Sequence, residues 1–307
     1  MSSASASRCT PETLPVHPAC PVCGSSHLRH RFRVDGFDIT RCCSCSLQFV
    51  RQQLSDQDLA PYYQVSDSVY EDVSNTENLA YYSRRLKQLL ERRFPSGGRL
   101  LDVGCSRGQF LDVMSGWDVH GIELSATDAG FARQNYGARI HQGTLADYPE
   151  PEQGFDVITI LDAFDHMPDP DTVLARCRSM LRPNGCLVIK VHDISCLYAR
   201  LSGRHFYAIL PPYHLFYYSA TTLRRLLSRT GFRLDHASHI GHRLFLKTIP
   251  YRLARGRTSG IFHTMYQLLE RLPIGRWSVY KNLNDIITVI AHVDAESYRR
   301  TTTGLSR

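Results

Sequence analysis

Four cysteines near the start of the chain have the spacing of a metal site. Cys20 and Cys23 form one pair and Cys42 and Cys45 form a second, in the pattern C-x2-C-x18-C-x2-C. A two-residue gap lets one tight turn present two thiolates to the same tetrahedral ion, and two such turns complete the coordination shell. The pattern predicts a structural zinc ion with no open position for catalysis. We interpret Cys43 as a bystander.

A second group of residues has the spacing of a nucleoside site. Asp102, Gly104 and Gly108 form a D-x-G-x-x-x-G loop between a predicted strand and a predicted helix, where glycines let a ligand lie against the main chain. Glu123 ends the next predicted strand, where a carboxylate can accept hydrogen bonds from both hydroxyls of a ribose. Ser106 interrupts the G-x-G-x-x-G pattern of dinucleotide sites, which disfavours NAD.

Two histidines follow predicted strands and are candidates for a general base. His166 lies just after the fourth predicted strand of the sheet, and His214 lies after the fifth. Ligands bind at the carboxyl edge of a parallel sheet, and an imidazole there can take a proton from an attacking group. A histidine that only hydrogen-bonds a loop is the alternative for each. Asp162, Asp165 and Asp193 are further candidates in the same loops.

A parallel sheet is needed to bring these residues together, and the chain has the pattern of one. From residue 99 onward, short apolar runs alternate with helical segments, which is typical of an α/β fold with helices on both faces of the sheet. The predicted strands are Arg99–Val103, Trp117–Glu123, Ala138–Gln142, Phe155–Leu161, Gly185–Val191, Phe232–Ser238 and Ile286–His292. The predicted helices are Asn78–Arg93, Gln109–Ser115, Ala126–Asn135, Asp171–Leu181 and Ala220–Arg229. Asp35 and Gly36 predict a hairpin turn between the two cysteine pairs.

The motifs that follow the strands together resemble those of class I S-adenosylmethionine-dependent methyltransferases. They are D-V-G-C-S-R-G at 102–108, G-I-E-L-S at 121–125, G-T-L at 143–145, F-D-V-I at 155–158 and L-R-P-N-G-C-L at 181–187. Ser106 stands where that family usually has glycine. The resemblance covers residues 99–240. It implies a Rossmann-like seven-stranded methyltransferase sheet and S-adenosyl-L-methionine as the cofactor.

The resemblance also implies the residues of the site. The methionine part of the cofactor would lie against the glycine loop, the ribose against Glu123, and the adenine beside Thr144 and Leu145. The predicted cofactor-binding residues are Asp102, Gly104, Cys105, Gly108, Glu123, Leu124, Thr144, Leu145 and Asp162. His166 and His214 resemble the family's Glu-His-x-x-x-Pro string and Pro-x-His segment, so they are the predicted catalytic residues.

A branch of the same superfamily carries a zinc ribbon and a tyrosine-rich connector before the methyltransferase domain, and this chain resembles that branch throughout. Its members often modify sugars, glycans or secondary metabolites. The predicted organisation is a disordered tail at 1–18, a zinc ribbon at 19–50, a helical connector at 51–98, the methyltransferase core at 99–240, a helical insertion or lid at 241–283, the last strand of the core sheet at 284–295 and a C-terminal tail at 296–307.

Charge is distributed unevenly along the chain. Residues 199–307 hold 17 basic and 5 acidic side chains, whereas residues 99–198 hold 8 and 14. The basic end suggests an anionic acceptor, a nucleic acid or an anionic membrane surface, although a strong preference for Arg over Lys can also reflect genome composition. An apolar helical stripe lies in the insertion, at Ile261, Met265, Leu268, Leu269 and Leu272. We interpret it as core or dimer contact, or as a lid or surface that meets a lipid-linked or phosphorylated substrate.

Composition favours a globular, cytoplasmic protein. With 43% hydrophobic and 21% charged residues, the chain is neither a disordered tail nor a fibre. No stretch reaches the roughly 18 consecutive apolar residues of a membrane span, and the first twenty residues lack the apolar centre of a signal peptide.

The predicted function is methyl transfer to a small molecule, sugar or glycan by a zinc-ribbon-bearing enzyme. One alternative is an RNA methyltransferase whose ribbon binds the nucleic acid, which the scarcity of stacking aromatics around the ribbon weakens. The other is a cofactor-binding pseudoenzyme that serves as a scaffold. The acceptor atom and the oligomeric state stay open.

Overall fold

The computed structural model describes residues 10–63, 73–247, 249–250 and 260–294. Its strands are β1 (Leu28–Val34), β2 (Phe37–Cys42), β3 (Gln48–Val50), β4 (Arg99–Val103), β5 (Asp118–Glu123), β6 (Ile140–Gln142), β7 (Phe155–Leu161), β8 (Leu181–His192), β9 (Phe216–Tyr217), β10 (Phe232–Ser238), β11 (His242–Phe245), β12 (Ser278–Lys281) and β13 (Ile286–Val293). Its helices are α1 (Asp56–Tyr63), α2 (Val73–Arg93), α3 (Gln109–Val113), α4 (Ala126–Tyr136), α5 (Pro170–Met180), α6 (Leu197–Ser202), α7 (Ala220–Arg229) and α8 (Ile261–Arg271).

A seven-stranded sheet forms the centre of the molecule, in the order β10-β13-β8-β7-β4-β5-β6. Strand β13 runs antiparallel to both of its neighbours, and the other neighbouring pairs are parallel. All seven strands predicted for this sheet are present, so the predicted α/β, Rossmann-like class is confirmed. The strand order reverses at β4, with β5 on one side and β7 on the other. A crevice therefore opens at the carboxyl ends of these strands, where ligands bind in such sheets.

The central strands form because their sequences are runs of β-branched and other apolar residues. Strands β7, β8 and β13 are buried over most of their length, as expected for strands covered on both faces. Strand β8 is longer than predicted. It begins at Leu181 rather than at Gly185 and ends at His192 rather than at Val191. His192 thus lies at the carboxyl edge of the sheet, level with the predicted site.

Helices cover one face of the sheet and the ribbon lies with helices on the other. On the first face, α2 packs Tyr82, Leu86 and Leu90 into a cluster with residues of α3 and α4. Helix α2 begins at Val73 rather than at the predicted Asn78. On the second face, residues of α5, α7 and the ribbon share one buried cluster. The ribbon is therefore part of the main hydrophobic core.

The ribbon is a four-stranded antiparallel sheet in the order β1-β2-β3-β9. The predicted hairpin is confirmed: Val34 lies opposite Phe37, and Asp35 and Gly36 between them have φ values of 48° and 85°. Strand β9 comes from the segment between α6 and α7 and pairs with β3 at Phe49 and Phe216, residues 167 positions apart in the chain. This pairing was not predicted, because two residues carry no periodic signal.

Several predictions concern the ends of the chain and the connector. The disordered tail predicted over 1–18 is wrong for residues 10–18, where Val16 forms a β-bridge with Gln52 and the His17 N–H donates to the Arg51 carbonyl at 2.9 Å. Residues 1–9, residues 64–72 of the predicted connector and the C-terminal tail predicted at 296–307 lie outside the described residues.

The predicted helical insertion contains a β-hairpin as well as a helix. Strands β11 and β12 pair at its base, and α8 lies between them in the chain. The apolar stripe of α8 faces solvent, with Ile261 73% and Leu268 58% exposed, so its interpretation as core is wrong. Basic residues 252, 255 and 257 of the insertion lie outside the described residues. Among the described residues, no helix is both long and apolar enough to cross a membrane.

Candidate active site

The loop between β4 and α3 leaves room for a ligand against its backbone. Gly104 and Gly108 have φ values of 80° and 88°, in the region that side chains disfavour. A Cβ atom at Gly104 would lie 3.0 Å from the Cβ of Ala163, in the loop after β7. The N–H groups of Gly104 and Cys105 donate to the Ile122 carbonyl at 2.8 and 3.0 Å, which fixes the loop on β5. A side chain at 104 would close the space between the two loops.

Glu123 lies at the end of β5 and joins this loop to the next. Its Oε2 accepts the Ser106 N–H and its Oε1 accepts the Ser125 N–H, both at 2.8 Å. Burial raises the pKa of Glu123, although these N–H groups oppose the change. An ionised carboxylate has about four acceptor positions. The Glu123 carboxylate therefore keeps acceptor capacity for a hydroxyl of a diol. Ser106, the departure from the family pattern, adopts a positive φ of 47°.

Asp102 lies beneath the glycine loop at the end of β4. Its side chain is buried, and its Oδ1 accepts a hydrogen bond of 2.6 Å from the Thr159 hydroxyl. Burial raises the pKa of Asp102 to about 7, with a smaller contribution from the charge of Glu123, while the Thr159 hydrogen bond opposes the change. Asp102 is thus a fixed acceptor behind the loop.

Leu145, predicted with Thr144 beside the adenine, differs in exposure from Leu124, another predicted cofactor-binding residue. Leu124 is 50% exposed next to Glu123, whereas Leu145 is buried in the main core. The loop that carries Thr144 and Leu145 is held at β5, because the Gly143 N–H donates to the Glu123 carbonyl at 2.9 Å. The Thr144 hydroxyl donates to Asp147 at 2.7 Å. Leu124 is therefore the apolar surface of this group that a flat ring can reach.

Asp162 lies at the end of β7, between the cofactor loop and the histidines. It has a positive φ of 55°, and its N–H donates to the Lys190 carbonyl at 3.0 Å. The Lys190 ammonium forms an ion pair with the Asp162 carboxylate and also lies 4.3 Å from the centre of the Tyr82 ring. Lys190 was not predicted, since a lone lysine inside an apolar strand gives no motif.

Three histidines surround a buried carboxylate at the same edge of the sheet. The ring centres of His166 and His214 are 4.6 Å apart, and those of His192 and His214 are 5.1 Å apart. Asp165 is buried among them: its Oδ2 accepts from His192 Nδ1 at 3.5 Å, and its Oδ1 lies 3.8 Å from His166 Nε2. The structure thus brings the two predicted histidines together and adds His192, which was missed.

The contacts of these histidines set their protonation. His214 Nδ1 donates to the Ala208 carbonyl at 2.7 Å, which leaves Nε2 of the neutral ring as the atom that can accept a proton. Burial lowers the pKa of His166 to about 4. Burial also opposes the charged form of His192, but the hydrogen bond and charge of Asp165 outweigh it and raise the pKa of His192. The Asp165 carboxylate therefore favours the protonated form of His192.

Asp193, the third acidic candidate, has other partners. Its side chain is buried, and it accepts hydrogen bonds from the Ser195 N–H at 2.8 Å and from His239 Nε2 at 2.9 Å. Asp193 therefore fixes the turn after β8 and does not join the histidine cluster.

The four predicted cysteine ligands lie together in the ribbon. The Sγ atoms of Cys20 and Cys45 are 3.5 Å apart, as are those of Cys23 and Cys42, and all four lie within 4.8 Å of one another. A tetrahedral zinc ion with Zn–S bonds of about 2.3 Å places its sulfurs about 3.8 Å apart. The four thiols therefore fit a zinc ion. Cys43, the predicted bystander, is exposed.

A family model described as a methyltransferase domain matches residues 76–237. The match covers more than half of the chain and includes the glycine loop, Glu123 and the histidine cluster. The chain belongs to this methyltransferase family. The match begins inside α2, in agreement with the packing of that helix against the sheet. The predicted membership in the class I methyltransferases that use S-adenosylmethionine is confirmed.

Several curated relatives of the methyltransferase are named ubiquinone biosynthesis O-methyltransferase. The protein of Marinobacter nauticus is 30% identical over 174 residues, which are 51% of this chain and 68% of that protein. The protein of Aromatoleum aromaticum is 29% identical over 127 residues, which are 38% of this chain and 54% of that protein. The methyltransferase thus spans between about half and two thirds of the length of these relatives.

Solved structures share the fold of the methyltransferase. The 1,6-didemethyltoxoflavin-N1-methyltransferase of Burkholderia thailandensis, with 1,6-didemethyltoxoflavin and S-adenosylhomocysteine bound, has a TM-score of 0.50 and 15% identity and aligns over 87% of this chain and 99% of that one. The plantazolicin methyltransferase, in complex with a monoazolic desmethylPZN analogue and S-adenosylhomocysteine, has a TM-score of 0.51 and 13% identity, over 77% of this chain and 93% of that one. At these identities the likeness shows the fold alone.

The site of the methyltransferase fits an adenosyl sulfonium on three observations. Gly104 is exposed and has a positive φ of 80°, so a ligand can reach the main chain there without meeting a side chain. Glu123 lies beside this loop with acceptor capacity left for a ribose hydroxyl, because its carboxylate has about four acceptor positions. Leu124 is exposed beside it and can contact a base.

Proposed function

We propose that this methyltransferase transfers a methyl group from S-adenosylmethionine to a small-molecule acceptor, a sugar or glycan hydroxyl being the favoured class. The observation that carries the proposal is the juxtaposition, at one sheet edge, of the nucleoside-binding loop and a buried histidine cluster: Ala163, which lies against Gly104, is two residues from Asp165. The name shared by the curated relatives supports oxygen as the accepting atom.

The proposed roles of the cofactor residues follow from their contacts. When bound, the donor supplies a methyl group that is electrophilic because it is attached to a sulfonium. Glu123 holds the ribose, Leu124 and the loop at Thr144 and Leu145 lie beside the adenine, and the backbone of 104–108 lies along the methionine part. Asp102 directly precedes that loop in β4, and its hydrogen bond from Thr159 fixes the end of β4 on β7. Because positioning of the reacting groups can supply about 7–11 kcal/mol of the barrier, these residues act chiefly by orientation.

His214 is the proposed general base. Its Nδ1–H is committed to the Ala208 carbonyl, so Nε2 is the atom that accepts the proton of an acceptor hydroxyl. The nearby Asp165 carboxylate stabilises the imidazolium that forms. His166, whose ring lies 4.6 Å away, stays neutral near pH 7 because of its low pKa and can orient the acceptor as a hydrogen-bond partner.

A radioactive transfer experiment tests the proposal and its alternatives. The zinc-loaded protein is incubated with methyl-tritiated donor and a cell extract, which is then separated into small molecules, RNA and protein. Label in the small-molecule fraction supports the proposal. Label in RNA favours the nucleic-acid alternative, in which the ribbon binds RNA, and no transfer into any fraction together with donor binding favours a pseudoenzyme scaffold.

We further propose that the ribbon holds a structural zinc ion through Cys20, Cys23, Cys42 and Cys45. The close approach of the four Sγ atoms supports this assignment. Burial opposes ionisation of Cys42, but N–H groups of Cys45 and Ser44 outweigh burial and lower the pKa of this thiol to about 7, which favours the thiolate that a metal needs. With four protein ligands, the ion has no position left for a substrate.

The exposed side of the insertion is proposed as a lid or a peripheral contact for a lipid-like partner. Besides the stripe on α8, Trp277 is 67% exposed and Val279 is also exposed on the hairpin. The segment 241–283 carries eight basic residues and one acidic residue. An apolar helix face surrounded by positive charge is typical of a surface that contacts anionic lipid. The cytoplasmic location stays a prediction.

A further inference from the structure

A cavity of about 420 Å³ lies where the ribbon meets the segment that follows β8. Its lining includes Arg31, Arg41 and Gln48 from the ribbon and Ser195 and Arg200 from the core. The volume falls in the range of small-molecule sites, which are about 300–1,000 Å³. None of the residues that line this cavity belongs to the cofactor loop or to the histidine cluster.

The cavity is strongly basic. Three arginines line it, and none of the aspartates and glutamates that the structure describes does. Within the described ranges, neither Arg31 nor Arg200 forms an ion pair or a side-chain hydrogen bond, and Arg41 has a single hydrogen bond, from Nη2 to the Ser46 hydroxyl at 3.0 Å. Like charges around one cavity repel each other, and a bound anion would remove that cost. The arrangement therefore indicates a site for an anion.

A neighbouring cleft of about 380 Å³ extends the basic surface. Arg224 and Arg225 of α7 line it, and it shares Ser46 with the cavity. Arg225 donates to the Ser44 carbonyl at 3.5 Å, so its charge also has no carboxylate partner among the described residues. The cavity and the cleft together therefore present five guanidinium groups, which is more positive charge than a ligand with a single carboxylate would need.

These features favour the diphosphate group of a small organic ester. Guanidinium groups bind phosphate through paired N–H donors, and several of them match the multiple charges of a diphosphate. Phe32, Ile194 and Ala199 provide an apolar wall for the organic part of such a molecule. A nucleic-acid strand is disfavoured, because Phe32 is the cavity's one aromatic lining residue, and single strands are bound along series of stacking aromatics.

The cavity and the histidine cluster share two loops. Ser195 follows His192 by three residues, which span at most about 11 Å of chain. Ser219 lines the cavity and follows His214 by five residues. We propose that this cavity binds the diphosphate group of a small-molecule ester and that this ester is the methyl acceptor. The second half of this statement rests on the proposed function.

Calorimetry with inorganic pyrophosphate tests the binding site on the full-length, zinc-loaded protein. Pyrophosphate is expected to bind the wild type, and Arg31→Gln and Arg200→Gln are each expected to weaken it by about tenfold or more, because each removes a charge-assisted contact. Arg233→Gln, an exposed arginine on β10, is the matched control and is expected to bind like the wild type. All four proteins are expected to bind S-adenosylhomocysteine equally. In the tritium assay, pyrophosphate is expected to slow transfer by the wild type and not by Arg200→Gln.

Three results would overturn the proposal. They are no pyrophosphate binding by the wild type, equal binding by all four proteins, and binding of single-stranded RNA oligomers without binding of pyrophosphate. Transfer that pyrophosphate does not slow would show that the bound ester is not the acceptor. Failure of the wild type to bind S-adenosylhomocysteine would instead contradict the proposed function, and the pyrophosphate measurement does not depend on it.

Discussion

Burial of the Asp102 carboxyl group lowers the stability of the folded protein at neutral and alkaline pH. Its pKa in the folded protein is about 7, above the usual value near 3.9, because the carboxyl is buried. A raised pKa gives stability that is fully present below about pH 4 and is lost as the pH rises through about 7. Above pH 7 the fold therefore contains a buried carboxylate that Thr159 alone supports.

Asp102→Asn is expected to stabilise the protein in a pH-dependent way. The amide oxygen can still accept from Thr159, and no charge is buried. The free energy of unfolding, measured with urea and without donor, should exceed that of the wild type by on the order of 2–4 kcal/mol at pH 8 and by less at pH 5. An equal difference at both pH values would contradict a raised pKa.

His214→Gln tests the general base. The variant should lower kcat by about 10²- to 10⁴-fold, because it removes the Nε2 atom that takes the proton, while affinity for S-adenosylhomocysteine stays unchanged. His205→Gln, at an exposed histidine, is the control. A normal kcat in His214→Gln, or an equal loss in both variants, would remove His214 from that role.

The residues of the site differ in how well the sequence predicts them. The glycine loop and Glu123 are predictable because their spacing is local and is dictated by a strand, a tight turn and a helix. His192 and Lys190 are not, because their partners Asp165 and Asp162 lie 27 and 28 positions away and meet them only through the register of β7 and β8. The family resemblance predicts that Leu145 lies beside the cofactor, but it does not predict the burial of Leu145, which depends on the core around it.

At the scale of elements, the ribbon and the active site are joined by β9. His214 is two residues from Phe216, which pairs with Phe49 of the ribbon, and the Leu215 N–H donates to the Asp165 carbonyl at 2.8 Å. Folding of the ribbon therefore positions the proposed base. Loss of the zinc ion should therefore lower the rate of methyl transfer, although the ion itself has no position for a substrate.

Cys42→Ser is expected to separate transfer from donor binding. Loss of one ligand should loosen the ribbon and displace His214, and a displacement of about 1 Å can cost about a hundredfold in rate. Affinity for S-adenosylhomocysteine should change little, because β4 and β5 are held by strands of the central sheet and pair with none of the ribbon strands. Cys43→Ser is the matched control, and zinc content is measured in both. Unchanged transfer in a zinc-free Cys42→Ser protein would contradict this link.

The exposed apolar stripe of α8 can be tested for contact with lipid. Leu268→Asp should reduce co-sedimentation with vesicles that contain phosphatidylglycerol, because it places a charge in the exposed stripe of α8. Leu201→Asp changes an equally apolar, exposed leucine on α6 and should have no effect. Equal sedimentation of both variants would exclude a lipid contact, and a dimer that Leu268→Asp dissociates would assign the stripe to a subunit contact.

The elements themselves were largely predictable. Strands β7, β8 and β13 are apolar runs that only a covered sheet explains, and all appear near their predicted bounds. The hairpin of β11 and β12 and the addition of β9 to the ribbon were missed. Each depends on pairing between segments whose sequences carry no pattern of their own.

At the scale of the whole molecule, ribbon and sheet share one hydrophobic core. Val22, Phe37 and Phe49 of the ribbon belong to the same buried cluster as Ile158 and Ile189 of the sheet. The sequence predicts two units because the cysteine pattern and the strand pattern are separate in the chain. It does not predict their packing, which depends on surfaces formed only after each has folded. The basic cavity between them arises in the same way.

Calorimetry with S-adenosylhomocysteine on the zinc-loaded protein tests whether the glycine loop and Glu123 bind the adenosyl cofactor. We expect one site in the wild type, a loss of affinity of about tenfold or more in a folded Glu123→Ala variant, and wild-type affinity in Glu152→Ala, an exposed glutamate far from the loop. No binding by the folded wild type, or equal binding by the wild type and Glu123→Ala, would contradict this expectation.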